Sequence, residues 1–374
     1  MVRGKRQAKS KKRKKAAAII ATCLVILAAL VVFLYRDKLS SDALGQLLGD
    51  SQNTEAKAYT YENGSNQHYA AMGGSLAIAS STGLQLLDEK GLTLSRQVFT
   101  MINPAVCTSE TSCGFYDIGG SALRIYSGGE FTQLDSPHPI ISLSANEKDF
   151  YALTAEESGY KGAVTVYNGS AEAVYKWYSG SGYTLDADVS PDCSSLAVLC
   201  VEDSGSIVRL FKLDSEDEFA SFSLPGELAF KLSYTKSGNI AVLTENALHT
   251  YTGKGEPLSK FDFSDVFLVN YLLSDKFFTL VTGKYVSGSQ VSITTLSQEG
   301  KVLGTLDLDY EPTALSAREQ KLLILGSDGA SIYSKKLEPL KTAQVTAGYK
   351  SALLLPKDDV LLLAAYHAEK LHIN

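Results

Sequence analysis

Tryptophan is nearly absent from this chain: Trp177 is the only one in 374 residues. A fold whose repeats each carry a signature tryptophan is therefore excluded. Cysteine is sparse as well, at five, and no Cys-x-x-Cys pair occurs, which removes the common zinc and dithiol motifs. Only five histidines are present, His68, His138, His249, His367 and His372, and none sits in a His-Glu-x-x-His arrangement. A Gly-x-Ser-x-Gly elbow and a Walker lysine loop are also missing. The acidic runs Asp214-Ser215-Glu216-Asp217-Glu218 and Asp307-Leu308-Asp309 lack the glycine and spacing of a calcium loop and read as solvated turns. No catalytic residue, metal site or cofactor is expected from these patterns. Proline is scarce, at nine, while glycine (30) and tyrosine (20) are frequent. That balance suits strands joined by tight turns.

What is present begins with a charge asymmetry. The first 15 residues hold nine basic residues and no acid. Residues 16–35 follow without a single charge, which is the length a helix needs to cross a bilayer. Basic flanks stay on the cytoplasmic side, so the N-terminus is expected inside and the rest outside, as a single-pass cell-membrane protein. A cleaved signal peptide fits less well, because its apolar core is usually about 7–15 residues long. A lipoprotein anchored at Cys23 fits poorly too, since Cys23 lies inside the apolar run. Without the nine basic residues, 26 Lys and Arg face 41 Asp and Glu, so residues 16–374 carry −15. An acidic ectodomain argues against nucleic acid as a partner. Residues 36–56 show no strand pattern and read as a juxtamembrane linker, with a weak helix expected over 42–48.

The remainder, 57–374, is organised by a repeat, clearest over 184–224, where four short strands alternate with turns. The third strand of each unit follows one pattern of small, apolar, polar, apolar and often aromatic residues. The copies are Gly83-Leu84-Gln85-Leu86-Leu87, Ala122-Leu123-Arg124-Ile125-Tyr126, Ala163-Val164-Thr165-Val166-Tyr167 and Ile207-Val208-Arg209-Leu210-Phe211. Ala247-Leu248-His249-Thr250-Tyr251, Gln290-Val291-Ser292-Ile293-Thr294, Gly329-Ala330-Ser331-Ile332-Tyr333 and Lys370-Leu371-His372-Ile373-Asn374 complete the set. Their last residues are 39, 41, 44, 40, 43, 39 and 41 apart. Four strands per roughly 40 residues is the period of a propeller blade. An all-β propeller of eight four-stranded blades is predicted, with seven as the alternative. The last unit supplies only three strands. The orphan strand at 57–61 is expected to complete it and close the ring. His249 and His372 fall at the same step of the repeat, which points to a structural role. Asn168-Gly169 falls where a hairpin turn is expected. Cys107 and Cys113 flank a five-residue turn between two strands, so a disulfide between them is a candidate.

The basic tail, apolar span and Tyr/Gly/Ser-rich repeats resemble a bacterial family of membrane-anchored β-propellers of unknown function. The turn Ser190-Pro191-Asp192 and the stretch Gly83-Leu84-Gln85-Leu86-Leu87-Asp88 are similar to fragments of TolB-like and quinoprotein-like propeller repeats. The single tryptophan departs from both the Trp-Asp repeat signature and the quinoprotein dehydrogenases. The resemblance implies a cell-envelope location and carries over no catalytic residue.

Two function classes follow. One is a binding or scaffold module that holds a protein or glycan at the envelope. The other is an envelope enzyme acting on carbohydrate or peptide at the propeller axis. Two or more acids at the mouth of the axial channel would favour the enzyme, and tyrosine, serine and glycine there would favour binding. For binding, the face carrying the second-to-third-strand loops is the candidate. Those loops are minimal at Ser81-Thr82, Glu245-Asn246 and Ser327-Asp328. Two are longer and carry aromatics: 155–162, with Tyr160 and Lys161, and 282–290, with Lys284 and Tyr285. The junction after the third blade adds Trp177, Tyr178 and Tyr183. Tyrosine and tryptophan offer broad contact area with a polar tip.

Overall fold

The computed structural model describes residues 59–285, 290–346 and 348–373. The basic tail, the apolar span at 16–35 and the linker all lie outside the described residues. Among the described residues, no helix is long and apolar enough to cross a membrane.

The described strands pair into eight antiparallel four-stranded sheets, as expected for eight blades. Seven blades use four consecutive strands each: 68–98, 104–133, 140–178, 183–225, 229–262, 267–308 and 314–344. The eighth joins Ser351–Leu354, Asp359–Leu363 and His367–His372 to the N-terminal strand Tyr59–Thr60. First strands of neighbouring blades touch one another around the axis. Second strands lie sandwiched between adjacent blades, which explains why they are apolar almost throughout. Cys113–Asp117 and Ile240–Thr244, for example, are buried at every residue. Outer strands such as Thr93–Val98, Ala173–Tyr178 and Pro257–Asp262 alternate exposed with half-buried positions. Their pairing slips at Leu86/Leu87, Val166/Tyr167 and Thr250/Tyr251. Such bulges twist an exposed edge and make it a poor template for further strands.

Ring closure is as expected. Tyr59 pairs with Ala368 and Thr60 with His367. Tyr59 is 1 % exposed and packs among Leu76, Ile78 and Leu87 of blade 1 and Leu361, Leu363 and Ala368 of blade 8. Its hydroxyl donates to the Glu89 carbonyl at 2.7 Å. The Tyr61 hydroxyl lies 2.7 Å from the Ala364 carbonyl and 2.8 Å from that of His367. A two-residue strand is thus held by two large side chains, Tyr59 and Tyr61, packed between the flanking blades.

One repeat copy is corrected. In blade 7 Ala330 stands opposite Leu325, and in blade 8 the equivalent pair is Ala368 with Leu363. The eighth copy therefore starts at His367, three residues before the expected Lys370. The tight hairpin Ala364 N–H to His367 O, 2.9 Å, sets that register, whatever the apolar spacing of Leu371 and Ile373 suggests. His372 is consequently not the counterpart of His249; Glu369 is. The two histidines still do similar work. His249 Nε2 is 2.7 Å from Glu227, and His372 Nδ1 is 2.7 Å from Asp359. Asn168 makes the expected turn, its side-chain oxygen accepting the N–H groups of Ser170 and Glu172 at 3.0 Å each.

Candidate functional site

The disc has two faces. One carries the second-to-third-strand hairpins and the junctions between blades, called here the 2–3 face. The other carries the first-to-second-strand hairpins and surrounds the axial channel mouth, the 1–2 face.

On the 2–3 face, blade 3 gathers most of the expected residues. The Tyr160 and Tyr178 rings lie 4.8 Å apart. Lys176 sits 4.6 Å over the Tyr178 ring and 3.2 Å from Glu157, which also meets His138 at 3.0 Å. Lys161 lies 4.5 Å over the Tyr183 ring and donates to its hydroxyl at 3.0 Å. That hydroxyl is the main reason the Lys161 ammonium is held above its usual range. The loop is placed by Gly162, at φ +138, where any Cβ would clash with the Thr184 hydroxyl. Tyr160, Tyr178 and Tyr183 remain well exposed.

Three expected members do not join them. Trp177 is half-buried and packs on Phe211, ring centroids 4.9 Å apart, within the apolar seam between blades 3 and 4. Its strand alternates: Tyr178 stands opposite Ala163 and Trp177 opposite Val164, so the two rings leave opposite sides of the sheet. Lys284 and Tyr285 sit on blade 6, with blades 4 and 5 intervening, and Lys284 lies 5.7 Å over the Tyr285 ring. The face is nevertheless apolar well beyond blade 3. Ile102, Leu228, Phe267, Tyr310 and Tyr366, from other junctions and hairpins, are exposed there as well.

A second feature escapes the sequence reading. At the 1–2 face, the ends of all eight first strands and their hairpins enclose a cavity of about 610 Å³ on the axis. Its lining includes the acids Glu110, Glu147, Asp188, Asp275 and Glu319 and the bases Lys236, Lys276 and Arg318. Ion pairs cross it between non-adjacent blades: Arg318 to Glu110 at 2.6 Å and Lys236 to Glu147 at 2.9 Å. Burial opposes ionisation of Glu147, yet the Lys236 hydrogen bond prevails and holds its carboxyl below the usual range. Asp275, beside Glu147, is pushed up, chiefly by burial and then by that neighbour. Deeper in, Lys231 meets Asp186 at 2.8 Å. Burial works against the Lys231 charge, but Asp186, with Asp188 nearby, outweighs it and raises the ammonium above its usual range. Asp186 and Asp188 also accept the N–H groups of Leu232, 3.0 Å, and Tyr234, 2.8 Å, tying the inner strand of blade 4 to that of blade 5. No local motif marks this mouth. Its residues come from hairpins about one blade period apart.

A family model described as a family of unknown function, DUF5711, matches residues 51–343. The chain belongs to this family. None of the curated proteins compared with it matches. Among solved structures it is similar to the C-terminal WD40 domain of Sif2, at 12 % identity and a TM-score of 0.59, covering 87 % of this chain and 100 % of that one. A structure of the eukaryotic initiation factor, at 12 % identity, has a TM-score of only 0.46 and covers 80 % of this chain and 90 % of that one. At such identity the WD40 likeness is one of fold alone.

In this DUF5711 propeller the candidate disulfide is not formed. Cys107 stands opposite Gly114 and Cys113 opposite Thr108, so the two sulfurs leave opposite sides of the sheet. Both thiols are free. Cys107 packs towards Leu143 and Tyr151, and Cys113 towards Met101 and Phe115. Burial pushes the Cys107 thiol up to about 12 and that of Cys113 upwards too. Among the described residues, no group of three His, Cys, Asp or Glu side chains could hold a metal ion.

Proposed function

We propose that this DUF5711 chain is a single-pass, membrane-anchored propeller that binds a protein partner at the cell envelope through its 2–3 face. The basic segment 1–15 followed by the uncharged segment 16–35 supports the anchor and the orientation. The observation that carries the binding role is the exposed apolar and tyrosine-rich 2–3 face. Tyr183 and Tyr366 are each 60 % exposed, Tyr160 52 % and Tyr285 50 %, on four different blades. Exposed apolar side chains concentrated on one face are a feature of interaction sites. Tyrosine is also among the residues that dominate binding energy. The test is capture from crosslinked envelopes with wild type and a Tyr160→Ala, Tyr178→Ala, Tyr285→Ala variant. A partner held by wild type and lost by a variant of unchanged melting temperature supports the reading. An identical set of captured proteins refutes it.

The Glu147–Asp275 pair favours a second reading, an envelope enzyme working at the axis, because one raised and one lowered carboxyl is the pattern of an acid and a base. Binding is preferred because Glu110 and Glu147 are already committed to Arg318 and Lys236. Hydrolysis of envelope glycan or peptide that is lost in Glu147→Gln would reverse that preference.

A further inference from the structure

We propose that the axial cavity on the 1–2 face binds a primary alkylammonium group, carried by a free aliphatic amine or by a lysine side chain of a polypeptide. At about 610 Å³ the cavity has the size of a small-molecule site. Its wall is divided. Blades 7, 8 and 1 contribute Leu315, Leu353, Ala70 and Ala71, an apolar side suited to methylenes, while the charged side chains come from blades 2 to 7. The charges do not balance. Five carboxylates face three bases, and the pairs Glu110–Arg318 and Glu147–Lys236 cancel, leaving Asp188, Asp275 and Glu319 against Lys276.

Asp188 is the sharpest of these. It is 7 % exposed, and its oxygens accept backbone N–H groups from Val189, 3.0 Å, and Tyr234, 2.8 Å. Among the described residues no basic side chain makes an ion pair with it; Lys231 is turned to Asp186. Lys231 therefore serves two buried carboxylates, and a cation entering the cavity would complete the compensation. A hard divalent ion would need six or more oxygen ligands, whereas an ammonium needs about three acceptors and tolerates the apolar wall.

The experiment is calorimetric titration of the full-length protein with 1,5-diaminopentane and with N-acetyl-lysine methylamide, using pentanoate and 1-pentanol as controls. Binding of either amine but neither control supports the site. Diaminopentane alone identifies a free amine as the source, and the lysine amide identifies a polypeptide side chain. Asp188→Asn and Asp275→Asn should each weaken binding about tenfold. Asp275 sits on a surface hairpin, so its variant remains informative if Asp188→Asn does not fold. Absence of binding by both amines at about 10 mM, equal binding of pentanoate, or unchanged affinity in folded Asp275→Asn would overturn the proposal.

Discussion

Replacing Lys231 with methionine tests what holds blades 4 and 5 together at the axis. The ammonium lies 2.8 Å from Asp186, whose side chain is 1 % exposed while that of Lys231 is 32 % exposed. At that separation the bare attraction is about 6 kcal/mol for an effective dielectric near 20. Desolvation of both groups offsets much of it, and the partial exposure of the lysine lets water screen more. Removing only the lysine leaves Asp186 buried without a cation and Asp188 more isolated still. The expected loss is about 2–4 kcal/mol, near the lower end of the range for breaking a buried pair. Asp186→Asn together with Lys231→Met removes both charges, so the double change should cost less than the sum of the singles by about 1–3 kcal/mol. Urea midpoints for residues 56–374, followed by the fluorescence of Trp177, measure all three variants. The reasoning fails if Lys231→Met shifts stability by less than about 0.5 kcal/mol, or if the double variant loses as much as the two singles added.

Further outcomes follow from the same geometry. Tyr59→Ala should cost about 3–5 kcal/mol, because a ring buried between blades 1 and 8 is deleted along with its hydroxyl bond, and an unchanged melting curve would show that the strand does not close the ring. Burial raises Asp188, which faces Asp186 and Lys231, from 3.8 to about 6. The folded state therefore holds that proton more tightly, and the stability this provides is complete below about pH 4 and lost as pH rises through about 6. Asp188→Asn should remove this slope, gaining up to about 2 kcal/mol relative to wild type between pH 4 and pH 7.5, and parallel pH profiles would contradict it. Gly162→Ala should destabilise by more than the roughly 1 kcal/mol that a freely exposed glycine position would show, since Cβ would strike Thr184; calorimetric melting checks this. Thiol counting under denaturing, non-reducing conditions should find Cys107 and Cys113 both reactive, whereas a bonded pair would overturn the strand register described above.

The candidate site divides along similar lines. Tyr160, Lys161, Tyr178 and Tyr183 were legible because long loops and blade junctions must share one face of any propeller. Trp177 was misjudged because an aromatic beside a loop can point either way. Only the pairing of Val164 with Trp177 decides that it enters the seam against Phe211.

By itself the sequence determined the repeat period, which favours eight blades over seven, the order of strands within them and the need for an N-terminal strand to complete the last. Each of these follows from period, alternation and turn residues, which act over a few positions along the chain. The tertiary structure alone decided three other matters. It placed Cys107 and Cys113 on opposite sides of a sheet, because a one-residue offset in pairing reverses a side chain. It moved the last copy of the repeat three residues earlier, where a hairpin hydrogen bond outranks an apolar pattern. It also assembled the charged mouth, bringing Glu110 to Arg318 and Glu147 to Lys236 from residues 208 and 89 positions apart. Contacts at that range exist only once the ring has closed, so no window of the sequence contains them.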